Sequence, residues 1–119
     1  GGTFISYTLL DGPAAGKTVY IAENCTGIVA KVGDVVNANS VLCTMHPVYP
    51  YIETGWARTP ANGKRAVDLT MAADVYSEGD VTAFGQNFSD LLQSLGCPPG
   101  TRSSSNTVGS LPAGWPVWK

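Results

Sequence analysis

Tyr49, Tyr51 and Trp56 fall within eight residues of one another, and Tyr20 sits in an earlier apolar stretch. Aromatic side chains exposed on a strand can stack on sugar rings, because both present flat apolar faces. The same residue types on a strand also fill cores, so both uses are open at this point. His46 is the only histidine in the chain. A catalytic zinc needs three protein ligands and an open position. One histidine beside Pro47 does not provide them, and no metal is expected. Cys25 or Cys43 with His46 could imitate a nucleophile and its base, but their order matches no defensible pattern. Gly12-Pro-Ala-Ala-Gly-Lys17-Thr18 falls one residue short of a phosphate-binding G-x-x-x-x-G-K-[ST] loop, and no helix signal follows it. No cofactor is expected either.

Composition narrows the classes. The chain has 119 residues, enough for one domain. Apolar residues make up 44%, which argues against disorder, whereas only 13% are charged, well below the usual quarter. Gly, Ser, Thr and Asn take the place of charge, a balance suited to an extracellular β-rich protein. The net charge of −2 and the scattered lysines and arginines give no field for a polyanion, which excludes nucleic acid as a natural partner. No apolar run approaches the length of a membrane span, so no membrane partner is expected. The start, Gly1-Gly2-Thr3, reads as a processed or excised product. Three cysteines without C-x-x-C spacing leave two options open: one disulfide with one free thiol, or three buried thiols. Asn24-Cys25-Thr26 and Asn87-Phe88-Ser89 fit the N-glycosylation acceptor pattern.

The elements that must position these residues are mostly strands. Residues 4–10 and 17–22 are rich in β-formers and flank a Gly- and Pro-containing turn, which predicts an antiparallel hairpin. Residues 27–32 and 40–45 predict a second pair of strands around Gly33-Asp34. Further strands are expected over 51–56 and 66–71, with a loop at 60–63. One helix is expected over about 80–96. Val81, Phe84, Phe88, Leu91, Leu92 and Leu95 form an apolar stripe, Asp80 is the expected N-cap, and Gly96 with Pro98 and Pro99 marks the stop. The reading is a mainly β, small hairpin or sandwich-like single domain over 1–97 with one C-terminal helix. A Gly-, Pro- and Ser-rich tail over 98–119 is expected to lack regular structure, with Trp115 and Trp118 docking its end.

The pattern V-G-D-x-V-x-x-x-x-V-L over residues 32–42 carries a resemblance. It is similar to the hairpin of biotinyl and lipoyl carriers and of lysostaphin-type peptidoglycan endopeptidases. The carriers place a modified lysine in a tight turn, which has no counterpart here. Residues 20–24 resemble the strand that carries an active-site histidine in the lysostaphin-type family. Residues 28–45 resemble its hairpin. Residues 50–53 resemble its last strand. The resemblance covers about residues 3–56. It implies a pocket-forming β-scaffold without the zinc ligands, because Glu23, Tyr51 and Glu53 stand where that family has histidines.

That alignment implies that Glu23 and Glu53 face one pocket. Paired carboxylates ~5–9 Å apart perform glycoside hydrolysis, one as acid and the other as base or nucleophile. Tyr51 would hold substrate or orient a carboxylate, and Asp68 is a possible third acid. Tyr20, Tyr49 and Trp56 would line the substrate. The leading expectation is therefore a secreted or cell-wall-associated, metal-free hydrolase acting on peptidoglycan or a related extracellular polysaccharide. The alternatives are a non-catalytic domain that binds glycan or a partner protein, and a structural subunit of a phage or surface assembly.

Overall fold

The computed structural model describes residues 3–58, 79–101 and 107–118. The strand expected over 66–71, the loop at 60–63 and Asp68 lie outside these residues. The described chain is mainly β with one helix. β1 (Thr3–Thr8), β2 (Thr18–Glu23) and β5 (Ile52–Ala57) form an antiparallel sheet in the order β1-β2-β5. β3 (Cys25–Thr26) pairs with β4 (Thr44–Met45). β6 (Val81–Thr82) leads into α1 (Ala83–Ser94) and pairs in parallel with β7 (Thr107–Val108).

The first hairpin forms where the turn residues place it. Leu9 and Lys17 close the ladder through the Leu9 N–H to Lys17 carbonyl bond at 2.9 Å. Register then assigns each face of the sheet, because successive side chains alternate. Tyr7, Val19 and Trp56 occupy one cross-strand row. That row is the main core, and Phe88 of α1 packs on it with Phe84, Leu91 and Leu92 around it. Burial pushes the pKa of the Tyr7 phenol up from its ordinary value. The opposite face carries a smaller cluster of Tyr20, Ala22 and Ala57 with Phe4, whose ring stacks on Tyr20 at 5.3 Å. Gly55 lies directly across from Tyr20. A Cβ there would stand 3.2 Å from Tyr20 Cε1, so the glycine lets the ring lie against the strand.

The helix begins later than expected. Thr82, not Asp80, is the N-cap, and its hydroxyl accepts from the Gly85 N–H at 2.9 Å. Val81 and Thr82 are used in the β6–β7 ladder, so the chain cannot turn helical before Ala83. The stop is where Gly96 places it. The Cys97 N–H reaches the Leu92 carbonyl and the Gly96 N–H the Gln93 carbonyl, both at 3.0 Å, with Gly96 at φ +100°. These are the two bonds of a Schellman cap, which needs a left-handed residue at that point. Leu95 falls on the cap and is exposed, so it drops out of the predicted stripe.

The described part of the tail is more ordered than its composition suggests. Besides β7, Trp115 and Trp118 both pack against Trp56, at ring separations of 5.8 and 5.9 Å. Lys17 lies 3.9 Å over the Trp115 ring, a cation–π contact joining the hairpin to the tail. Asn87 organises this cluster. Its Oδ1 accepts from both Trp56 Nε1 (2.9 Å) and Trp115 Nε1 (3.0 Å), and its Nδ2 donates to the Pro116 carbonyl at 2.8 Å.

Candidate binding face

The stretch that resembles the lysostaphin-type hairpin departs most from the predicted strands. Only Cys25–Thr26 and Thr44–Met45 form a ladder, in place of strands over 27–32 and 40–45. The Leu42 carbonyl continues it, accepting from the Val29 N–H (2.9 Å) and the Ala30 N–H (3.4 Å). Between them the chain makes local turns instead. Asp34 accepts from the Lys31 N–H through Oδ2 and donates its own N–H to the Lys31 carbonyl. Ser40 and Asn37 bond each other similarly. These short polar side chains compete with a ladder for the backbone groups. In consequence Ile28, Val29, Val32, Val35 and Val41 are exposed.

A disulfide between Cys25 and Cys43, with Cα atoms 5.7 Å apart, closes this segment, and Cys97 is a free, exposed thiol. Of the two options open from sequence, one bridge and one thiol is the structure's. Such bonds persist in oxidising compartments. Closing a loop of 18 residues is worth about 3 kcal/mol in the chain-entropy account. Reduction, or Cys25→Ser with Cys43→Ser, is therefore expected to lower the melting temperature by several degrees. Thermal melts with and without reductant check this; coincident melts would mean that the bridge does not constrain the unfolded chain.

The segment after β4 holds the aromatic candidates. Asn24 anchors both of its ends: the Asn24 carbonyl accepts from the His46 N–H (2.9 Å), and the Asn24 N–H donates to the Tyr51 carbonyl (3.2 Å). Inside the loop, His46 Nδ1 accepts from the N–H groups of Val48 (3.1 Å) and Tyr49 (3.0 Å). The Tyr51 N–H then donates to the Tyr49 carbonyl at 2.8 Å. That is a γ-turn centred on Pro50, whose ring-fixed negative φ suits the inverse form. Tyr49 and Tyr51 are left 59% and 71% exposed. His46 is the brace of this loop.

The other aromatic candidates are not available to a ligand. Trp56 is 2% exposed and is the centre of the main core. Tyr20 is 6% exposed, lying under Phe4 on the other face. Strand alternation turns Trp56 inward towards α1, and Gly55 draws the Tyr20 ring onto the sheet.

The two glutamates stand one ladder step apart on adjacent strands. Glu53 pairs with Ala22 and Glu23 with Ile52, neighbouring ladder positions. Glu53 goes with the Tyr20 face, where its Oε1 accepts from the Tyr20 hydroxyl at 2.6 Å. Glu23 ends β2 opposite Ile52, and its backbone is left-handed, with φ +79°, a departure from regular strand geometry. Among the described residues no cluster of His, Cys, Asp and Glu is arranged to hold a metal ion. No described helix is long and apolar enough to cross a membrane. A cleft of about 470 Å³ beside α1, lined in part by Gln86, Ser89, Asp90 and Gln93, contains none of the residues expected at the site.

Of the two glycosylation triplets, Asn87 is 4% exposed with both ends of its amide engaged, whereas Asn24 is half-buried. Sequence reasoning missed the role of Asn87. The available signal was an amide between Phe84 and Phe88 on an apolar helix, together with two indoles in the tail that each need a partner for an N–H. No family model, no curated protein and no solved structure matches this chain.

Proposed function

We propose that this chain is a non-catalytic extracellular binding domain that holds cell-wall or related glycan by stacking sugar rings on Tyr49 and Tyr51. The observation that carries the reading is the pair of exposed rings on a loop fixed at both ends and braced within. Holding exposed rings in place in advance lowers the ordering cost of binding. The disulfide beside the loop suits a secreted setting. The resemblance of residues 3–56 to the lysostaphin-type scaffold fits the same reading, with the zinc site lost and the surface retained. A paired-glutamate hydrolase needs both carboxylates flanking one bond. The Tyr20 hydroxyl already engages Glu53 Oε1, and Glu23 sits at a left-handed strand end, so it is the weaker reading.

The test is retention on insoluble peptidoglycan and a panel of extracellular polysaccharides, with release of reducing ends followed in parallel. Wild type is expected to be retained without release. Tyr49→Ala with Tyr51→Ala is expected to weaken retention roughly tenfold, if each ring contributes ~0.5–1.5 kcal/mol. Retention by no material, or retention indifferent to both tyrosines, would overturn the reading. Release that disappears in Glu53→Gln would restore the enzyme.

A second reading has its own observation. Ile28, Val29, Val32, Val35 and Val41 are aliphatic and exposed, which suits docking of a partner protein better than stacking of sugars. Val32→Asp and Val35→Asp would then abolish capture of that partner, while the tyrosine variants kept it.

A further inference from the structure

We infer that His46 is a proton-operated latch for the loop that presents Tyr49 and Tyr51. The inference deepens the binding reading and rests on it for what the latch controls, but the latch itself rests on the hydrogen bonds that His46 Nδ1 accepts.

Imidazole Nδ1 accepts two N–H bonds, from Val48 at 3.1 Å and Tyr49 at 3.0 Å. An atom that accepts in this way carries no hydrogen, so the neutral ring bears its proton on Nε2. Protonation places a hydrogen on Nδ1. The atom then becomes a donor facing two donors, and both bonds must break. The Val48 and Tyr49 amides lose their acceptor at the step of the chain that sets the direction of the Tyr49 ring. Histidine is the side chain type whose unperturbed charge change falls between about pH 5 and pH 8. The sign follows directly: the opened loop takes up the proton and the closed loop excludes it. High pH closes the latch and falling pH opens it.

Among the described residues no charged group is paired with the imidazole. The Tyr49 ring faces the imidazole from its own loop, with ring centroids 5.4 Å apart and planes tilted by 31°. From the β2–β3 junction the contact is the uncharged Asn24 carbonyl, which holds the His46 backbone N–H. Glu23 precedes Asn24 on that junction, and Glu53 lies on β5 beyond Tyr51. The Glu53 Oε1 is taken by the Tyr20 hydroxyl, and neither acid forms an ion pair with His46 among the described residues. Both ends of the loop stay tied to Asn24 when the brace is lost. Opening is therefore a local change in the pose of Tyr49 and Tyr51 rather than unfolding.

The experiment is amide hydrogen exchange by NMR, expressed as protection relative to the free peptide at each pH, with the ring nitrogens of His46 followed in the same samples. In the wild type, protection of the Val48 and Tyr49 amides is expected to fall about tenfold or more between about pH 8 and pH 5, in step with ring protonation. His46→Asn places Oδ1 where Nδ1 stood and accepts the same two bonds without titrating. Its protection is expected to stay level across the range. His46→Ala is expected to leave both amides unprotected throughout. Wild-type protection that stays level while the ring titrates would overturn the latch, and so would a ring that does not titrate in this range. Glycan retention separates the two ideas. Retention that weakens on acidification in wild type but not in His46→Asn supports both. PH-dependent amide protection without retention at any pH supports the latch and removes the binding reading.

Discussion

Replacing Trp56 with alanine is expected to cost the domain roughly 3–5 kcal/mol, against a typical total stability of about 5–15 kcal/mol. Trp56 is the largest fully buried side chain among the described residues. It takes Phe88 edge-on at 5.1 Å and Trp115 edge-on at 5.8 Å, stacks Trp118 at 5.9 Å, and donates to Asn87. The sheet, the helix and the tail meet on this one ring. Alanine leaves a cavity that none of the three can collapse into without losing a second contact. The change therefore removes packing from three elements at once. Denaturant melts followed by tryptophan fluorescence measure it. Trp56→Phe, which keeps a ring but loses the N–H, is expected to cost clearly less than alanine. A shift under about 1 kcal/mol for the alanine variant would mean that the core is not centred on this side chain.

The parts of this fold legible in the sequence are those decided locally. The first hairpin follows from two β-rich runs around a turn, and the helix from an apolar stripe that ends at Gly96. The N-cap was misplaced because Val81 and Thr82 are claimed by β7, a partner more than twenty residues away that propensity does not register. The valine-rich segment after Cys25 failed for a related reason. β-propensity mostly measures how well a side chain packs on a pleated surface. Where Val32 and Val35 pack on nothing described, Asp34, Asn37 and Ser40 redirect the backbone into turns.

The site was less legible than the fold, because it depended on register. Tyr51 and Trp56 both lie at the β5 end of the chain's aromatic run, yet one is 71% exposed and the other 2%. Alternation says that strand neighbours differ, but not which face meets a helix. The glutamates carry the same lesson. Their pairing rests on aligned positions, whereas side-chain direction depends on register and on local backbone, and Glu23 is left-handed at φ +79°. Glu53 opposite Ala22 and Glu23 opposite Ile52 are one step apart. The aromatic tail was read correctly in outline, since Trp115 and Trp118 needed somewhere to bury. What received them depended on Asn87.

Asn87→Ala is expected to destabilise the protein by roughly 2–4 kcal/mol and to loosen the tail in particular. The residue is 4% exposed, and its amide supplies one acceptor to two indole N–H groups and one donor to the Pro116 carbonyl. Leaving a buried polar group unpaired costs about 1–3 kcal/mol. Trp56 Nε1 bears that cost most fully, whereas Trp115 and Pro116 are half-buried and can regain water once the tail lifts. The loss should therefore divide between global stability and local release of residues 111–118. Limited proteolysis of the tail, alongside denaturant melts, reads the two parts separately. Asn87→Asp distinguishes the functions of the amide. It keeps the acceptor for both indoles but sets a carboxylate against the Pro116 carbonyl, so it should free the tail while retaining more of the Trp56 environment than alanine does. Coupling to Trp115→Phe in a double-mutant cycle is expected at ~0.5–3 kcal/mol, because the two residues share one hydrogen bond. Additive costs, or a tail as protease-resistant in Asn87→Ala as in the wild type, would show that the stacked indoles alone hold the tail in place.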